Sequence, residues 1–314
     1  NAAYKVLSQI LCHRLTPIAR EILNGRHSST CEVRALNHLS KIDFMNYKIR
    51  LKVTSKAILV RKYRNQNMII EAIVSVLFAA SAVTGLPTTK IVGGQYAEEH
   101  QFPYQVALLY FENFRCGGSI INEQWVLTAA HCVLAGSNKL PPNTLKVFAG
   151  SSNLAAGGNM YEVEDTFAHE SYGDFKNDIA LIKLKEQIEF DESMQKIELY
   201  GEELEESTQV TISGFGRTGT DMSPSDQLKY NTMYVLRERN CYAETGIVHQ
   251  GLICLNSGID NGACNGDSGG PAVYDGQLVG VANFVIDGCG TQHPDGYAKV
   301  AYFTEWIRDT MENH

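Results

Sequence analysis

Three short motifs hold the residue types that nucleophilic catalysis requires. Ser268 lies in the run Gly-Asp-Ser-Gly-Gly-Pro, where main-chain N–H groups can face a reacting carbonyl. His131 lies in Leu-Thr-Ala-Ala-His-Cys, and Asp178 lies in Asn-Asp-Ile-Ala-Leu. A serine hydroxyl is a weak nucleophile at neutral pH, so it needs a base within hydrogen-bond reach to take its proton. The motifs therefore supply a nucleophile, a base, and a carboxylate that would hold the base in one tautomer.

The three motifs form a specific signal only when they are taken together. A glycine-rich serine turn by itself is ordinarily a loop, but separate motifs in the order His, Asp, Ser are a much stronger indication. On these residues the chain resembles the chymotrypsin-like (trypsin-fold) serine proteases. The resemblance implies that His131, Asp178 and Ser268 are catalytic. It also implies that the backbone N–H groups of Gly266 and Ser268 form the oxyanion hole.

A fourth motif, Lys-Ile-Val-Gly-Gly at residues 90–94, looks like the family's activation junction. The resemblance implies cleavage after Lys90, which frees the amine of Ile91 to enter the protein and pair with Asp267. A buried carboxylate is costly unless it is paired. We therefore expect a zymogen whose Ser268 turn is poorly organised before cleavage. The alternative is that the motif is only a strand end followed by a turn.

Six of the eight cysteines lie in the region that resembles a protease, which fits an oxidising compartment. Spacing alone leaves many pairings open. The resemblance implies three disulfides, which are Cys116 with Cys132, Cys241 with Cys254, and Cys264 with Cys289. It gives no partner to Cys12 or Cys31.

The segment before the activation junction predicts a secretory leader. Its apolar stretch, Ala72 to Val83, is short for a membrane span and is followed by small residues. We interpret residues 68–85 as a signal peptide and residues 86–90 as an activation propeptide, although Glu71 stands where such leaders are usually basic. The protein is then expected to be secreted and extracellular.

Residues 1–67 differ in charge from the rest of the chain. They hold 13 Lys and Arg side chains against 3 Asp and Glu, whereas residues 91–314 hold 13 against 31. A signal peptide cannot act from the middle of a protein, so we interpret residues 1–67 as upstream sequence translated in frame, or an unstructured extension, with Met68 as the true start. A removed pro-region and a regulatory domain are the alternatives.

Residues 91–314 are expected to form the serine protease domain. Short apolar or alternating runs between turn residues predict strands, and these runs are 104–110, 145–149, 179–184, 209–213 and 277–282. Asp275-Gly276 between apolar runs predicts a tight hairpin. The spacing of Phe303, Trp306, Ile307 and Met311 predicts a terminal helix. The resemblance implies an all-β fold of two antiparallel β-barrels followed by this helix.

The resemblance places the substrate pocket at five residues, which are Gly262, Asn283, Phe284, Val285 and Asp295. Gly262 stands at the base, where a trypsin carries an aspartate that pairs with Lys or Arg. Val285 should narrow the mouth, and Asp295 falls where a carboxylate could enter from the side, although it could equally be a solvated turn residue. This pattern is closest to insect chymotrypsin-like and crustacean collagenase-like enzymes. Asn283 replaces a serine that in the family helps to hold the catalytic carboxylate, and its amide can still donate.

Burying apolar area contributes roughly 25 cal/mol per Å², so we expect a preference for large apolar side chains before the scissile bond. Small aliphatic side chains come second and basic ones third, which leaves an elastase-like or mixed specificity as the alternative. The segment Ser151 to Tyr161 lacks the acidic ligands of the family's calcium site, so we expect no metal. No motif predicts a cofactor.

The expected partners are protein or peptide substrates, an activating trypsin-like protease and protein protease inhibitors. The acidic run 202–206 and the acidic balance of residues 91–314 disfavour nucleic acid. We expect a monomer that does not associate with membranes. Two functional classes fit the chain: an active endopeptidase with a digestive role, and a non-catalytic binding protein on the same fold. The intact set of three catalytic residue types favours the first.

Overall fold

A computed structural model of the protein describes residues 91–220 and 222–314. The expectations for residues 1–67, for the signal peptide at 68–85, and for the propeptide at 86–90 with its cleavage residue Lys90 lie outside these described residues. Within the described ranges, no helix is long and apolar enough to cross a membrane.

The secondary structure of the described residues is mainly β. Its strands are β1 (Gln95–Tyr96), β2 (Gln105–Tyr110), β3 (Asn113–Ile120), β4 (Trp125–Thr128), β5 (Leu134–Ala135), β6 (Asn138–Lys139), β7 (Leu145–Ala149), β8 (Asn159–Ala168), β9 (Ala180–Leu184), β10 (Glu198–Leu199), β11 (Gln209–Gly214), β12 (Lys229–Val235), β13 (Leu252–Asn256), β14 (Pro271–Tyr274), β15 (Gln277–Phe284) and β16 (Asp295–Lys299). Its helices are α1 (Ala130–Val133), α2 (Glu238–Thr245), α3 (Val300–Asn313) and a short 3₁₀ helix (Pro142–Thr144).

Twelve of these strands form two antiparallel barrels, and β5 and β6 pair as a separate hairpin. The first barrel closes in the order β2-β3-β4-β9-β8-β7, because β7 pairs back onto β2. The second runs β12-β11-β14-β15-β16-β13 and closes through the pairing of β12 with β13. Strand β1 adds to β12, and β10 adds in parallel to β15. The prediction of two antiparallel barrels with a C-terminal helix is confirmed.

Local sequence explains the elements that were predicted. All five predicted runs coincide with strands of the barrels. Asp275 and Gly276 have φ of +47° and +74°, and they join β14 to β15 as a two-residue hairpin in which Tyr274 pairs with Gln277. Both central residues of such a turn need positive φ, which aspartate and glycine tolerate better than most residues.

The terminal helix α3 packs the face that its sequence spacing predicts. Phe303 and Ile307 are fully buried, and Trp306 and Met311 are half-buried against the same core. This core is continuous with the interior of the first barrel, which includes Val126. Burial of one large apolar side chain contributes about 1.5–3 kcal/mol, so α3 is held to the barrels by its packing.

The described residues form three disulfides, Cys116–Cys132, Cys241–Cys254 and Cys264–Cys289. These are the pairs that the resemblance implies. The first joins β3 to α1, and the third joins the segment before Ser268 to the loop that follows β15. Two of the three disulfides therefore brace the segments that carry His131 and Ser268.

Candidate active site

Strand pairing brings His131 and Asp178 together. Strand β4 pairs with β9, and Thr128 lies opposite Ala180 at the end of the ladder. His131 follows this end of β4, and Asp178 precedes this end of β9. The two residues therefore leave the first barrel at the same edge, although 47 positions separate them in the sequence.

Asp178 binds His131 at two atoms. One carboxylate oxygen, Oδ2, lies 2.6 Å from Nδ1 of the imidazole, and the other, Oδ1, accepts the His131 backbone N–H at 2.9 Å. The Asp178 side chain is 1% exposed, whereas that of His131 is 33% exposed. A buried carboxylate on Nδ1 favours the tautomer that carries its proton there. The other ring nitrogen, Nε2, is then the one that can accept a proton.

A tight turn delivers Asp178, and the second barrel holds this turn. Asp174, Phe175 and Asn177 have φ of +49°, +61° and +53°, values that residues other than glycine seldom adopt. The side-chain amide of Asn283, on β15, donates from Nδ2 to the carbonyl oxygen of Phe175 at 2.8 Å. Asn283 therefore supports the main chain of the turn. Its amide nitrogen does not bond the Asp178 carboxylate, which differs from the role of the serine that it replaces.

Ser268 lies in a turn of the second barrel that is hydrogen-bonded to the first barrel. Its carbonyl oxygen accepts the N–H of Gly117, on β3 of the first barrel, at 2.8 Å. The next residue, Gly269, has φ of +77° and donates its N–H to Ala282 at 2.7 Å. A β-carbon at Gly269 would lie 2.1 Å from Oγ1 of Thr128. Only glycine fits here, because both the backbone conformation and the close approach exclude a side chain.

Two N–H groups of this turn remain available to a ligand. The N–H groups of Asp267 and Gly269 donate to protein carbonyls at 2.9 and 2.7 Å. In the part of the chain that the structure describes, those of Gly266 and Ser268 have no protein acceptor. A pair of unused N–H groups beside a serine is the arrangement that can stabilise a negative oxygen.

Asp267 is a buried carboxylate held by main-chain donors. It is 4% exposed and accepts the N–H of Gly216 at 2.8 Å and that of Cys264 at 2.9 Å. Burial raises the pKa of Asp267 to about 6, because the charged form loses its hydration. The two N–H donors and the Lys229 cation act in the opposite direction.

The segment that follows the expected cleavage site packs close to this region. Ile91 is fully buried in the core of the second barrel and has φ of +47°. The carbonyl oxygen of Val92 accepts the N–H of Gly262 at 3.1 Å. Residues 91 and 92, which follow the expected cleavage site, therefore lie directly beside Gly262 at the expected base of the substrate pocket.

A cavity of about 60 Å³ opens beside Ser268. Its walls are Ala263, Cys264, Asn265, Ser268, Ala282, Asn283, Phe284, Val285, Gly296 and Tyr297. The cavity thus includes three of the predicted pocket residues, Asn283, Phe284 and Val285. The other two, Gly262 and Asp295, are buried and do not line it.

Asp295 occupies the space that a side chain at Gly262 would need. Its Oδ2 would lie 2.6 Å from a β-carbon at Gly262, and it accepts the N–H of Ala263 at 2.7 Å. The residue is 6% exposed. Burial raises the pKa of Asp295 to about 7, and the nearby Asp267 carboxylate acts in the same direction. An acid with a pKa near neutral pH therefore lies behind the wall of this cavity, next to Gly262.

A group of potential metal ligands also lies at the site. Ligand atoms of Cys116, His131 and Cys132 lie within 4.8 Å of one another. Both sulfurs belong to one disulfide, so neither is a thiolate that could bind a metal. This cluster is therefore not a metal site in the oxidised protein.

Sequence reasoning missed two residues that contact the site. Arg115 donates to main-chain carbonyls around His131, and Phe175 supplies both the carbonyl that Asn283 binds and a ring that packs on Phe284 at 5.2 Å. An arginine that directly precedes a disulfide cysteine in a strand was the available signal for the first. No sequence signal identified the second.

Two antiparallel barrels with a His–Asp pair on one and a glycine-rich serine turn on the other define the class of chymotrypsin-like serine hydrolases. The sequence model of the trypsin family matches residues 91–307. The chain therefore belongs to the trypsin family of serine proteases, as its motifs indicated.

Relatives in this family include proteins with different names. The chain is 46% identical over 225 residues to serine protease SP24D of Anopheles gambiae, across 72% of this chain and 82% of that protein. It is 34% identical over 225 residues to brachyurin of Leptuca pugilator, across 69% and 97%. It is 31% identical over 253 residues to a trypsin of Phaedon cochleariae, across 77% and 96%.

Among solved structures, the chain is similar to neuropsin, a serine protease expressed in the limbic system of mouse brain. The TM-score is 0.64 and the sequence identity is 29%, and the match covers 69% of this chain and 98% of that one.

Proposed function

We propose that the protein is a secreted serine endopeptidase that is made as a zymogen and uses His131, Asp178 and Ser268 as a catalytic triad. The observation that carries this proposal is the buried Asp178 carboxylate, which binds both the ring and the main chain of His131. A protein that only binds a partner has no need of this arrangement beside a serine turn with two unused N–H groups.

The geometry leads to a two-stage hydrolysis. Ser268 Oγ attacks the scissile carbonyl while His131 Nε2 takes the hydroxyl proton, and Asp178 stabilises the imidazolium that forms. The oxygen that becomes negative accepts the N–H groups of Gly266 and Ser268, and loss of one such donor typically costs about 100- to 1000-fold in kcat. His131 then returns the proton to the leaving amine, the C–N bond breaks, and an acyl-serine remains.

Water completes the cycle by the same route. His131 takes a proton from a water molecule, and this water attacks the acyl carbonyl. The second tetrahedral intermediate uses the same two N–H groups. Its collapse breaks the ester bond and returns the proton from His131 to Ser268 Oγ, which releases the carboxylic acid product.

The proposed activation step depends on the buried Asp267 carboxylate. We propose that a trypsin-like protease cleaves after Lys90 and that the new amine of Ile91 pairs with the Asp267 carboxylate. The raised pKa of Asp267, which is caused by burial, supports the need for a cationic partner. The packing of Val92 against Gly262 supports coupling of this segment to the pocket.

Substrate preference is proposed from the walls of the cavity. Phe284 and Val285 offer apolar surface to the cavity, and Gly262, which lies behind its wall, contributes no charged side chain. We propose large apolar side chains before the scissile bond, with small aliphatic ones as the alternative, since Val285 lines the cavity and was expected to narrow its mouth. A digestive role, regulation by protein protease inhibitors and action as a monomer complete the proposal.

The test uses the full chain and its Ser268→Ala variant, both treated with immobilised trypsin that is then removed. Each is assayed on peptides that differ only in the residue before the scissile bond. We expect cleavage after Phe, Tyr or Leu by the wild type and none by the variant. Equal rates for the two proteins, or the absence of cleavage with every peptide, would reject the triad. A preference for Ala or Val would establish the narrower, elastase-like pocket.

A further inference from the structure

The guanidinium of Arg115 lies at the C-terminal end of α1, the four-residue helix that carries His131. Its Nε donates to the carbonyl oxygen of Cys132 at 2.8 Å. Its Nη2 donates to the carbonyl oxygens of His131 at 3.1 Å and Leu134 at 3.0 Å. One half-buried side chain on β3 therefore binds three main-chain carbonyls around His131.

Such a short helix depends on contacts of this kind. The last carbonyls of a helix have no partner within it, and a helix of one turn forms almost no internal hydrogen bonds. A guanidinium is a rigid fork of N–H donors that can reach several acceptors, and a cation is favourable at a helix C-terminus. Arg115 does not bind the carbonyl oxygen of Val133, which accepts the N–H of Leu140 at 2.9 Å instead.

Neighbouring residues fix the guanidinium in place. Its Cζ lies 5.5 Å from the centroid of the Tyr110 ring, which belongs to the adjacent strand β2. The next residue in the chain, Cys116, forms the disulfide to Cys132 inside α1. Strand β3 thus holds α1 by a covalent bond and by three hydrogen bonds from adjacent positions.

We propose that Arg115 is a positioning residue for the serine protease reaction. Asp178 holds His131 at its ring Nδ1 and at its backbone N–H, and Arg115 holds its backbone carbonyl. Together they fix the main chain and the ring of His131, so that Nε2 keeps the orientation needed for proton transfer. This inference rests on the proposed function of the same site.

The first test compares Arg115→Met and Arg115→Lys with the wild type, all as activated full chains. We expect Arg115→Met to lower kcat about 10- to 100-fold with KM unchanged, because a small misplacement of a catalytic group costs up to about 100-fold. Arg115→Lys should recover part of this loss, since an ammonium can still reach one or two of the carbonyls. Arg237→Met, which removes an arginine from an exposed ion pair with Glu206, is the matched control and should leave kcat unchanged.

Assays run well below the unfolding temperature of every variant, as measured by circular dichroism. A kcat for Arg115→Met within twofold of wild type would overturn the proposal. So would a change confined to KM, or a lysine variant no better than the methionine variant.

The second test does not depend on peptidase activity. The proton on His131 Nδ1 lies in a short hydrogen bond to Asp178 and should give a far-downfield proton NMR signal. We expect this signal in wild type and Arg237→Met, and its broadening or loss in Arg115→Met. An unchanged signal in Arg115→Met would overturn the positioning role. The wild type could instead show the signal and lack peptidase activity, while Arg115→Met loses the signal. This result would reject the proposed function but would still support the role of Arg115 in orienting His131.

Discussion

The carboxyl group of Asp295 leads to a prediction about specificity and pH. Its pKa is about 7 because of burial, so about one tenth of the molecules carry the charge at pH 6 and about nine tenths at pH 8. The neutral form suits an apolar side chain, and the ionised form can attract a lysine ammonium that enters the pocket. We therefore expect cleavage after Lys, relative to cleavage after Phe, to rise roughly ninefold from pH 6 to pH 8.

The ratio of the two kcat/KM values is the quantity to measure. An ionisation that affects both substrates alike cancels in the ratio. Two unit charges about 4 Å apart attract by roughly 4 kcal/mol at the effective dielectric of a protein site, which leaves room for a measurable gain after the lysine loses its hydration. Asp295→Asn keeps the size of the side chain but cannot ionise, so its ratio should not change with pH.

Two results would refute this reasoning. A flat ratio in the wild type would show that the substrate ammonium does not sense Asp295, which is bound to Ala263 N–H behind the cavity wall. The same slope in Asp295→Asn would show that another group is responsible. Burial raises the pKa of the neighbouring Asp267 to about 6 in the uncleaved chain. Because both proteins carry Asp267, any slope that it causes would remain in the variant.

Thermal unfolding tests the pKa of Asp295 independently of activity. An acid with a pKa raised by folding holds its proton in the folded state and releases it on unfolding. Its contribution to stability is therefore fully present below its ordinary pKa of 3.8 and is lost as pH rises through about 7. At about 1.4 kcal/mol per pKa unit, this loss is at most about 4 kcal/mol. Asp295→Asn should thus gain stability relative to wild type between pH 5 and pH 8, and a constant difference over this range would contradict the assignment.

Three further substitutions test the site. Asp178→Asn should lower kcat by about 10⁴-fold without unfolding the protein, because the wrong tautomer of His131 is then favoured; a loss below tenfold in a kinetic assay would contradict this. Gly269→Ala should destabilise the serine turn through its contact with Thr128 and its positive φ, and unchanged thermal unfolding would contradict this. Asn283→Asp keeps the size of the side chain but removes the N–H donor to the turn that carries Asp178, so we expect kcat to fall. Asn283→Gln keeps a donor and should lower kcat less. Equal losses in the two variants would show that packing, not the hydrogen bond, matters.

Much of the fold could be predicted because its signals are local. Alternating runs between turn residues gave the main strands, and the Asp275-Gly276 pair gave a hairpin whose φ values require these residue types. The grouping of the strands into two barrels came from the family resemblance, and their order within each barrel came from the structure. Residues such as Val92 and Gly262, whose main chains bond to each other, are 170 positions apart, and no local pattern determines such a pairing.

The candidate site, too, could be predicted only in part from the sequence. The residue types that perform the chemistry stand in motifs, so they could be recognised. Arg115 and Asn283 hold these residues through main-chain carbonyls. Every residue has such a carbonyl, so the sequence did not identify their partners, although Asn283 itself was predicted at the pocket. The Asn283 amide binds the carbonyl of Phe175, which lies 108 positions away and belongs to the other barrel. No local pattern identifies such a partner.

Contacts within the first barrel and contacts between the two barrels both hold the candidate site together. The His131 helix depends on Arg115 and a disulfide from within the first barrel, whereas the Asp178 turn depends on Asn283 from the second. The Ser268 turn, in the second barrel, is in turn bonded to Gly117 of the first. Two of the three segments that carry the proposed triad are thus fixed across the barrel interface. A change that shifts the barrels relative to each other must therefore disturb Asp178 and Ser268 together. Loss of activity should therefore precede loss of barrel structure when the protein is gradually denatured.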